Sequence, residues 1–318
     1  MLTPMRNDVS KLVLGTVQIG APYGAANRTG LPSVDRAIRI LRRAHRFGVS
    51  QFDTARAYGE AEERIGEAFG GADAPATITK LDPLALLPED ASDAEAECAV
   101  EASVNASLVS LKRASLDTLL LHRAAHLTSH NGAVWRRLVR LQKAGVIGHL
   151  GVSVQTPEEA FQALAMRGVN HIQLPFNLID QRWRETGVPN AARAREDVTV
   201  HARSIYLQGI LAAEDSMVWP RVRGVDAEGT LYMLDTLAQL YKRVSIADLC
   251  LAYVRGQDWV DGIVIGMETE EQLDRNLALF DGEAMTQDEI DDIEPRLPRF
   301  PEALLNPALW PRPERESE

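Results

Sequence analysis

The chain alternates about eight times between short apolar runs and longer segments with helical periodicity. The runs carry few polar residues on either face, as expected of parallel strands that are covered on both sides. Strand, helix and strand joined by short connections favour a parallel sheet with right-handed crossovers. Eight such units predict an α/β protein built as a single (β/α)8 barrel, the TIM-barrel architecture. The predicted strands are Leu12–Val17, Val49–Ala55, Thr77–Leu81, Leu116–His122, Ile147–Val154, His171–Phe176, Val198–Ile205 and Val260–Met267.

Helical periodicity fills the intervals between these runs, and several predicted helix ends carry residues that favour helix termination. Ser33 is placed to cap the first helix, and Thr156 followed by Pro157 opens another. Gly48 and Gly145 are placed to end two more. The predicted helices are Val34–Phe47, Ala61–Phe69, Ala94–Arg113, Val134–Lys143, Pro157–Met166, a weak one at Trp183–Arg195, Thr230–Tyr241, Ile246–Val254 and Thr269–Phe280.

Two stretches depart from the alternation. Leu211–Gly229 is long and irregular, which predicts a loop over the open face of the barrel. From Thr286 onward we expect one short acidic helix and then a proline-rich tail, Pro295–Glu318. We therefore predict a barrel at residues 1–285 and an irregular C-terminal extension, a helix and an extended tail, at residues 286–318. Several apolar side chains of the extension require a covering surface, namely Phe300, Leu304, Leu305, Leu309 and Trp310.

The composition is that of a globular enzyme, and its charge excludes some classes of partner. A net charge of −11 and a pI near 5.2 argue against nucleic acid or an anionic membrane as the main partner. The sequence has no apolar run of the ~18 residues that span a bilayer, and Met1–Pro4 does not open a secretory signal. Cys98 and Cys250 are expected to be reduced core thiols, which favours a cytoplasmic protein.

Three successive predicted strands end in a polar or ionisable residue: Asp53, Lys80 and His122. A tyrosine, Tyr58, follows the first of them after a short connection. A charge at the end of a buried strand costs free energy unless it is paired or used. In a (β/α)8 barrel the carboxyl ends of the strands meet on one face, where active sites lie. The pattern therefore predicts that these four side chains meet at one site.

These four residue types suit proton transfer. A tyrosine hydroxyl is a poor acid at neutral pH, with an ordinary pKa of about 10, but a nearby ammonium stabilises its phenolate. Tyr58 as proton donor, Lys80 as its partner and Asp53 as the partner of Lys80 form a coherent set. His122 is placed to hydrogen-bond a carbonyl oxygen. The alternative is structural, a buried Asp53–Lys80 ion pair with the tyrosine and histidine on the rim.

Several motifs accompany these residues. They are Phe-Asp-Thr-Ala-Arg-Ala-Tyr-Gly at 52–59, Thr-Lys ending at Lys80, Leu-Leu-Leu-His ending at His122, Gly-Val-Ser at Gly151–Ser153, Ile-Gln-Leu-Pro-Phe-Asn around Gln173, and Gly-Met-Glu-Thr-Glu-Glu-Gln-Leu-Asp-Arg-Asn at Gly266–Asn276. Together they identify a resemblance to the aldo-keto reductases from about Lys11 to Phe280. The resemblance implies hydride transfer between a nicotinamide and an aldehyde or ketone, with Tyr58 as proton donor, no metal and no Rossmann glycine motif.

The resemblance also implies a cofactor site. Ser153 and Gln173 would hold the carboxamide, and the segment after the eighth strand would hold the adenosine phosphate at a helix N-terminus, where free backbone N–H groups favour an anion. The corresponding residues of that segment are Gly266, Glu268, Thr269, Gln272 and Asn276.

Three positions depart from the family pattern. Val154 stands where the family often has an asparagine, and Arg203 stands where many members stack an aromatic ring on the nicotinamide. A guanidinium can stack on a ring as well, so Arg203 is kept as a cofactor contact. Glu268 suits a ribose hydroxyl and repels a phosphate. The family favours NADP(H), and Glu268 keeps NAD(H) open.

Polar and aromatic residues of the loops after the strands are candidates for binding substrate. They suit a small, polar carbonyl compound, anionic or sugar-like, and the opening Gly-Thr-Val-Gln-Ile-Gly-Ala-Pro-Tyr-Gly is similar to a bacterial branch associated with sugar pathways. The candidates for substrate binding are Gln18, Tyr23, Arg56 and Trp219, with Arg123 and Trp183 as further ones.

His122, His126 and His130 recur every four residues, but they span a strand end and a loop, which argues against a metal site.

Two other functions are compatible with the same residues. The first is a regulatory protein that binds the cofactor and turns over little, against which the complete set of four polar residues argues. The second is a lyase or isomerase that uses the nicotinamide transiently without net redox change. The sequence leaves the substrate, the physiological direction and the oligomeric state undetermined.

Overall fold

The computed structural model describes residues 9–71 and 74–311 and has a closed barrel of eight parallel strands. Each strand pairs with the next along the chain, and the last pairs with the first, as in Leu12 opposite Ile263. The predicted (β/α)8 barrel is therefore confirmed. The strands are β1 Leu12–Gly15, β2 Gln51–Asp53, β3 Ala76–Lys80, β4 Leu116–Leu121, β5 Ile147–Ser153, β6 His171–Pro175, β7 Thr199–Arg203 and β8 Gly262–Gly266.

Helices surround the barrel, and most lie within a few residues of their predicted bounds. The weak helix predicted at Trp183–Arg195 is two short helices, separated at Gly187, whose φ of 83° is left-handed. The α-helices are α1 Val17–Gly20, α2 Val34–Arg46, α3 Ala61–Phe69, α4 Asp93–Leu111, α5 Ala133–Lys143, α6 Pro157–Ala165, α7 Arg182–Glu185, α8 Val188–Arg193, α9 Ala227–Leu240, α10 Ile246–Arg255, α11 Glu270–Phe280, α12 Gln287–Ile293 and α13 Glu302–Leu305.

The predicted capping residues act at the helix ends. Ser33 accepts a hydrogen bond from the backbone of Arg36, and Thr156 accepts one from the backbone of Glu159. Gly48 and Gly145 follow the ends of their helices with left-handed φ values of 93° and 78°. The loop predicted at Leu211–Gly229 ends earlier than expected, because Asp226 caps α9 by accepting from the backbone of Gly229.

The apolar core has two parts. The larger part lies between the outer faces of the strands and the helices, and a small cluster of Val13, Ile78 and Leu120 lies inside the barrel. Gly262 on β8 leaves room inside the barrel for the imidazole of His201 on β7, because a Cβ at position 262 would lie 2.5 Å from that ring. The barrel interior is therefore filled partly by polar side chains.

The C-terminal extension packs against the larger core. Leu304 and Leu305 are buried, and Phe300 and Trp310 lie partly buried against the same cluster. Trp310 Nε1 donates to the Leu304 carbonyl oxygen at 2.8 Å. The predicted helix is α12, but the tail is folded into α13 and two 3₁₀ turns, so the expectation of an extended tail is corrected up to residue 311. Residues 312–318, the end of that predicted tail, lie outside the described residues, as do residues 1–8 with the Met1–Pro4 segment.

One expectation about the cysteines is wrong. Cys250 is buried on α10 as predicted, but Cys98 is exposed on α4, so only one of the two is a core thiol. The apolar positions of α4 follow Ala96 and Val100, and Cys98 lies between them on the outward side. Within residues 9–71 and 74–311, no helix is long and apolar enough to cross a membrane.

Candidate active site

A buried ion pair forms the base of the site at the carboxyl ends of β2 and β3. Lys80 Nζ lies 2.8 Å from both carboxylate oxygens of Asp53 and 2.9 Å from the carbonyl oxygen of Thr54. Lys80 is 1% exposed and Asp53 is 3% exposed. Burial opposes the charge of the ammonium, but Asp53 and Tyr58 outweigh it, so the pKa of Lys80 is raised. Lys80 is therefore a fixed positive charge.

Tyr58 lies directly beside this charge. Lys80 Nζ is 4.9 Å from the centroid of the Tyr58 ring. The turn that carries Tyr58 packs against the end of α1 through two glycines. A Cβ on Gly20 would lie 2.0 Å from the Tyr58 carbonyl oxygen, and a Cβ on Gly59 would lie 2.2 Å from the Gly20 carbonyl oxygen. Only glycine permits this approach, which places the tyrosine against the lysine.

His122 follows β4 and faces the same tyrosine. The rings of Tyr58 and His122 are 5.9 Å apart, centroid to centroid, and nearly perpendicular. Burial, followed by the charges of Lys80, Arg203 and Arg123, lowers the pKa of His122 to about 3. The imidazole is therefore neutral at physiological pH. Its Nδ1 is buried and has no hydrogen-bond partner among the described residues.

Gln173 connects the ion pair to the predicted carboxamide site. Its Nε2 donates to Asp53 Oδ2 at 2.7 Å, while its Oε1 is buried and has no partner within the described chain. Ser153 lies opposite Gln173 in the β5–β6 register. Val154, where the family often has asparagine, is buried and offers no side-chain hydrogen bond. A buried amide oxygen without a donor fits a carboxamide N–H group.

Arg203 ends β7 and reaches past β6 to the residues that follow β5. Its guanidinium donates to the carbonyl oxygen of Val154 at 3.3 Å and to Gln155 Oε1 at 2.8 Å. It is held by neutral acceptors, and no carboxylate among the described residues pairs with it. The predicted position of Arg203 at the site is consistent with stacking on a ring.

At the start of α11, side chains form hydrogen bonds with one another and with the helix backbone. Glu268 is 7% exposed, and its Oε1 accepts from Gln272 Nε2 at 2.9 Å. Thr269 caps the helix by accepting from the backbone of Gln272 at 3.1 Å, and Asn276 Nδ2 donates to the Gln272 carbonyl oxygen at 2.9 Å. Glu270 and Glu271 follow in the first turn, so the turn is acidic.

The structure places only some of the predicted substrate residues at the site. The amide of Gln18 packs on Gly266, where a Cβ would lie 2.0 Å from Gln18 Oε1, and this contact joins the ends of β1 and β8. Tyr23 is 41% exposed, yet burial of its hydroxyl raises its pKa, with Arg203, Tyr58 and Lys80 near enough to act on it. Gln18 and Tyr23 therefore lie at the site.

Arg56 and Trp219 do not join them. The guanidinium of Arg56 binds Glu62, Glu63 Oε1 and Ser110 Oγ between α3 and α4, outside the barrel. The prediction that Arg56 lines the substrate pocket is corrected, because these anionic and hydroxyl partners hold it elsewhere. Trp219 is buried in the larger apolar core, as is Trp183.

A cavity of about 260 Å³ lies beside His122. It extends between the ends of β4, β5 and β7. Its polar lining combines the imidazole of His122 with two guanidinium groups. The lining residues are His122, Arg123, Ala124, Ala125, Ser153, Val154, Gln155, Glu159 and Arg203.

Sequence reasoning missed two buried histidines inside the barrel. The rings of His171 on β6 and His201 on β7 are 4.2 Å apart. Burial, and then Lys80, lower the pKa of His201 to about 4, and burial with His201 lowers that of His171 well below its usual value. Their position in the sequence could have revealed them. His171 lies two residues before Gln173 and His201 two residues before Arg203, so each points to the same side of the sheet as that residue, into the barrel.

The histidines predicted not to bind metal are separated along the chain. His122 follows β4, His126 lies in the 3₁₀ segment Ala124–Leu127, and His130 begins a second one. They therefore share no helix face.

The structure is thus an eight-stranded parallel barrel with an aspartate–lysine pair, a tyrosine and a histidine at the carboxyl ends of its strands. The chain belongs to the aldo/keto reductase family, whose family model matches residues 11–296. It is therefore an oxidoreductase, in a family that acts on carbonyl compounds and generally uses NAD(P)H.

Known proteins resemble the chain along most of its length. The Bacillus subtilis (strain 168) uncharacterized oxidoreductase YqkF is 22% identical over 299 residues, which cover 90% of this chain and 92% of that protein. The aldo-keto reductase AKR11C1 from Bacillus halodurans, in its holo form, superposes with a TM-score of 0.73 at 21% identity and covers 91% and 92% of the two chains. The thermostable aldo-keto reductase Tm1743, in complex with the inhibitor epalrestat, has a TM-score of 0.66 at 20% identity, covering 92% and 97%.

Proposed function

We propose that this protein reduces an aldehyde or ketone to the alcohol, or catalyses the reverse, with Tyr58 as the proton donor. The observation that carries the proposal is the position of Tyr58, whose ring lies 4.9 Å from Lys80 Nζ. Asp53 holds that ammonium at 2.8 Å through both carboxylate oxygens. Reduction of a carbonyl needs a proton on oxygen, and this arrangement supplies one beside a fixed positive charge.

Each residue of the site has a role that follows from its surroundings. When Tyr58 releases its proton, the Lys80 ammonium stabilises the phenolate that remains. Asp53 keeps Lys80 charged and in place, and also fixes Gln173. Neutral His122 is suited to donate a hydrogen bond that orients the carbonyl oxygen beside Tyr58.

The site residues fit a nicotinamide cofactor. The unpartnered Gln173 Oε1, with Ser153 beside it, would accept from the carboxamide, and Arg203 would lie against the ring. When bound, the cofactor supplies the hydride that the protein's own side chains lack. Gly266, Glu268, Thr269, Gln272 and Asn276, at the end of β8 and along α11, would hold the adenosine portion.

The carboxylate of Glu268 favours NAD(H), although the family resemblance favours NADP(H). Glu268 is buried with one carboxylate oxygen bonded to Gln272, which leaves Oε2 for a ribose hydroxyl. The same carboxylate would repel a 2′-phosphate, whereas Glu270 in the next turn is paired with Arg39 at 3.1 Å. NADP(H) remains the alternative, and the ratio of the two affinities decides between them.

The substrate in this proposal is a small, polar, sugar-like carbonyl compound, since Gln18, Tyr23 and the arginines of the cavity offer many hydrogen bonds. A cytoplasmic location is part of the same proposal, because the reaction draws on a nicotinamide pool.

The first test separates binding from chemistry. Titration with NADH and NADPH, followed by quenching of tryptophan fluorescence, should give saturable binding of at least one. Tyr58→Phe should keep that binding and lower carbonyl reduction by at least about 10²-fold, because it lacks the proton donor. Tyr232→Phe, an exposed tyrosine on α9, is the matched control. Wild-type turnover in Tyr58→Phe would refute the proton-donor role.

The same assay addresses the other two functions. A regulatory protein would bind cofactor, and Tyr58→Phe would change nothing measurable because the wild type turns over little. A lyase or isomerase would convert substrate without stoichiometric consumption of the cofactor, whereas the proposed reductase consumes one equivalent per carbonyl reduced.

A further inference from the structure

We propose that the cavity beside His122 selects carbonyl compounds that carry an anionic group, and that Arg123 is the residue that binds the anion. The inference rests on the proposed function and names the substrate class of the same site. The expected substrate is an aldehyde or ketone with a carboxylate or a phosphate a few bonds from the carbonyl carbon.

The cavity is electropositive. It is lined by two guanidinium groups, those of Arg123 and Arg203, and by an imidazole that is neutral at physiological pH. The one carboxylate in its lining, Glu159, already accepts a hydrogen bond from the Gln155 backbone at 2.6 Å. The charges of both arginines reach His122, where each disfavours protonation of the ring. Two guanidinium groups against one carboxylate leave the lining net positive, which favours an anion that enters the cavity.

Arg123 differs from the arginines near it. Within residues 9–71 and 74–311 its side chain has no hydrogen bond or ion pair, and it is exposed to the cavity and to solvent. On the adjacent α5, Arg136, Arg137 and Arg140 each pair with an acid of α4. Arg203 is held by Val154 and Gln155 and is reserved in the proposed function for the cofactor ring. Arg123 thus remains available to a substrate.

The position of Arg123 sets the distance between the two recognised groups. His122 and Arg123 line the same cavity, so a carbonyl compound whose oxygen is held by His122 can extend through that cavity to the guanidinium. A guanidinium offers parallel N–H donors that match a carboxylate or a phosphate. Because the anion is bound in ground state and transition state alike, the preference should fall mainly on KM.

The test compares matched substrate pairs in the full-length protein with saturating cofactor. Succinic semialdehyde is paired with butanal, and glyceraldehyde 3-phosphate is paired with glyceraldehyde. We expect kcat/KM to be at least about tenfold higher for the anionic member of one pair, equivalent to about 1.4 kcal/mol. The pair with the larger ratio identifies whether carboxylate or phosphate is the natural group. The preference should shrink as ionic strength rises.

Variants assign the preference to one residue. Arg123→Gln should reduce the anionic-to-neutral ratio to near one, and Arg123→Lys should retain part of it. Arg167→Gln is the matched control, because Arg167 is also exposed and follows α6 at the opposite end of the barrel. A binding measurement that needs no turnover is isothermal titration of succinate against succinamide, with succinate binding lost in Arg123→Gln.

The outcomes separate this inference from the proposed function. If neither member of any pair is reduced although cofactor binds, the reductase proposal itself fails. If neutral and anionic members are reduced equally, or if Arg123→Gln and Arg167→Gln have the same ratio as wild type, the reductase stands and the anion site is refuted.

Discussion

At the scale of single residues, the site depends on charges whose partners come from different strands. Asp53 accepts from Lys80 on β3 and from Gln173 on β6, at 2.8 and 2.7 Å. The carboxylate therefore connects Lys80, the neighbour of Tyr58, to the proposed carboxamide site. Each of these groups is buried, so none of them can exchange its partner for water at little cost. The geometry around Tyr58 is accordingly fixed before any ligand arrives.

Replacement of Lys80 tests the role of its charge. Lys80→Met removes the ammonium beside Tyr58, and we expect kcat at neutral pH to fall by about 10²-fold or more, because the phenolate loses its stabilising partner. The variant also leaves Asp53 buried without its cation, so Asp53→Asn/Lys80→Met is the companion that restores neutrality. Circular dichroism and cofactor titration check that both variants fold and bind. Kinetics that match wild type across the pH range would contradict the role assigned to Lys80.

At the scale of elements, the strand ends and the start of α11 contribute different residues to the candidate site. The strands bring Asp53, Lys80 and Ser153 to one face, since parallel strands of a barrel end together. The start of α11 presents its capped first turn to the same face. Its dipole favours an anion, and the Glu268 carboxylate just before it opposes one. We therefore expect the cofactor preference to depend on Glu268.

Charge reversal at that turn tests the preference. Glu268→Arg should increase affinity for NADPH relative to NADH by about tenfold or more, since it replaces a repelling carboxylate with a phosphate-binding group. Glu271→Arg makes the same change of charge on the exposed side of the turn and should have a much smaller effect. The measurement is the ratio of the two dissociation constants from fluorescence quenching. An unchanged ratio in Glu268→Arg would place Glu268 away from the 2′ position.

At the scale of the whole molecule, the C-terminal extension is part of the same apolar core as the helices. Leu304 and Leu305 of α13 and Ile290 and Ile293 of α12 are buried in it. Such burial contributes to stability in proportion to the apolar area that is removed from water. The extension therefore stabilises the fold of the described chain.

Truncation of one side chain measures this contribution. Leu304→Ala should lower the free energy of unfolding by about 2–5 kcal/mol, the usual range for a fully buried leucine. Leu309→Ala is the matched control, because Leu309 is 54% exposed in the same segment, and its effect should stay within about 0.5 kcal/mol. Denaturant unfolding followed by tryptophan fluorescence gives both values. Equal stability of the two variants would show that the extension does not pack as described.

The amino-acid sequence by itself determined the eight strands, most of the helices and the set of Asp53, Tyr58, Lys80 and His122. These features can be predicted from short stretches of the chain. A strand that is buried on both faces is a run of consecutive apolar residues, and the polar residue that ends it follows directly. Which side chains pair with each other was decided only by the tertiary structure. The pairing of Gln173 with Asp53 joins residues 120 positions apart, and Arg56 turned to Glu62 and Ser110 instead of the pocket. Exposure of Cys98 and burial of Leu304 likewise depend on which surface packs against each. Side-chain partners follow from distances in three dimensions, and a pattern along the chain does not contain those distances.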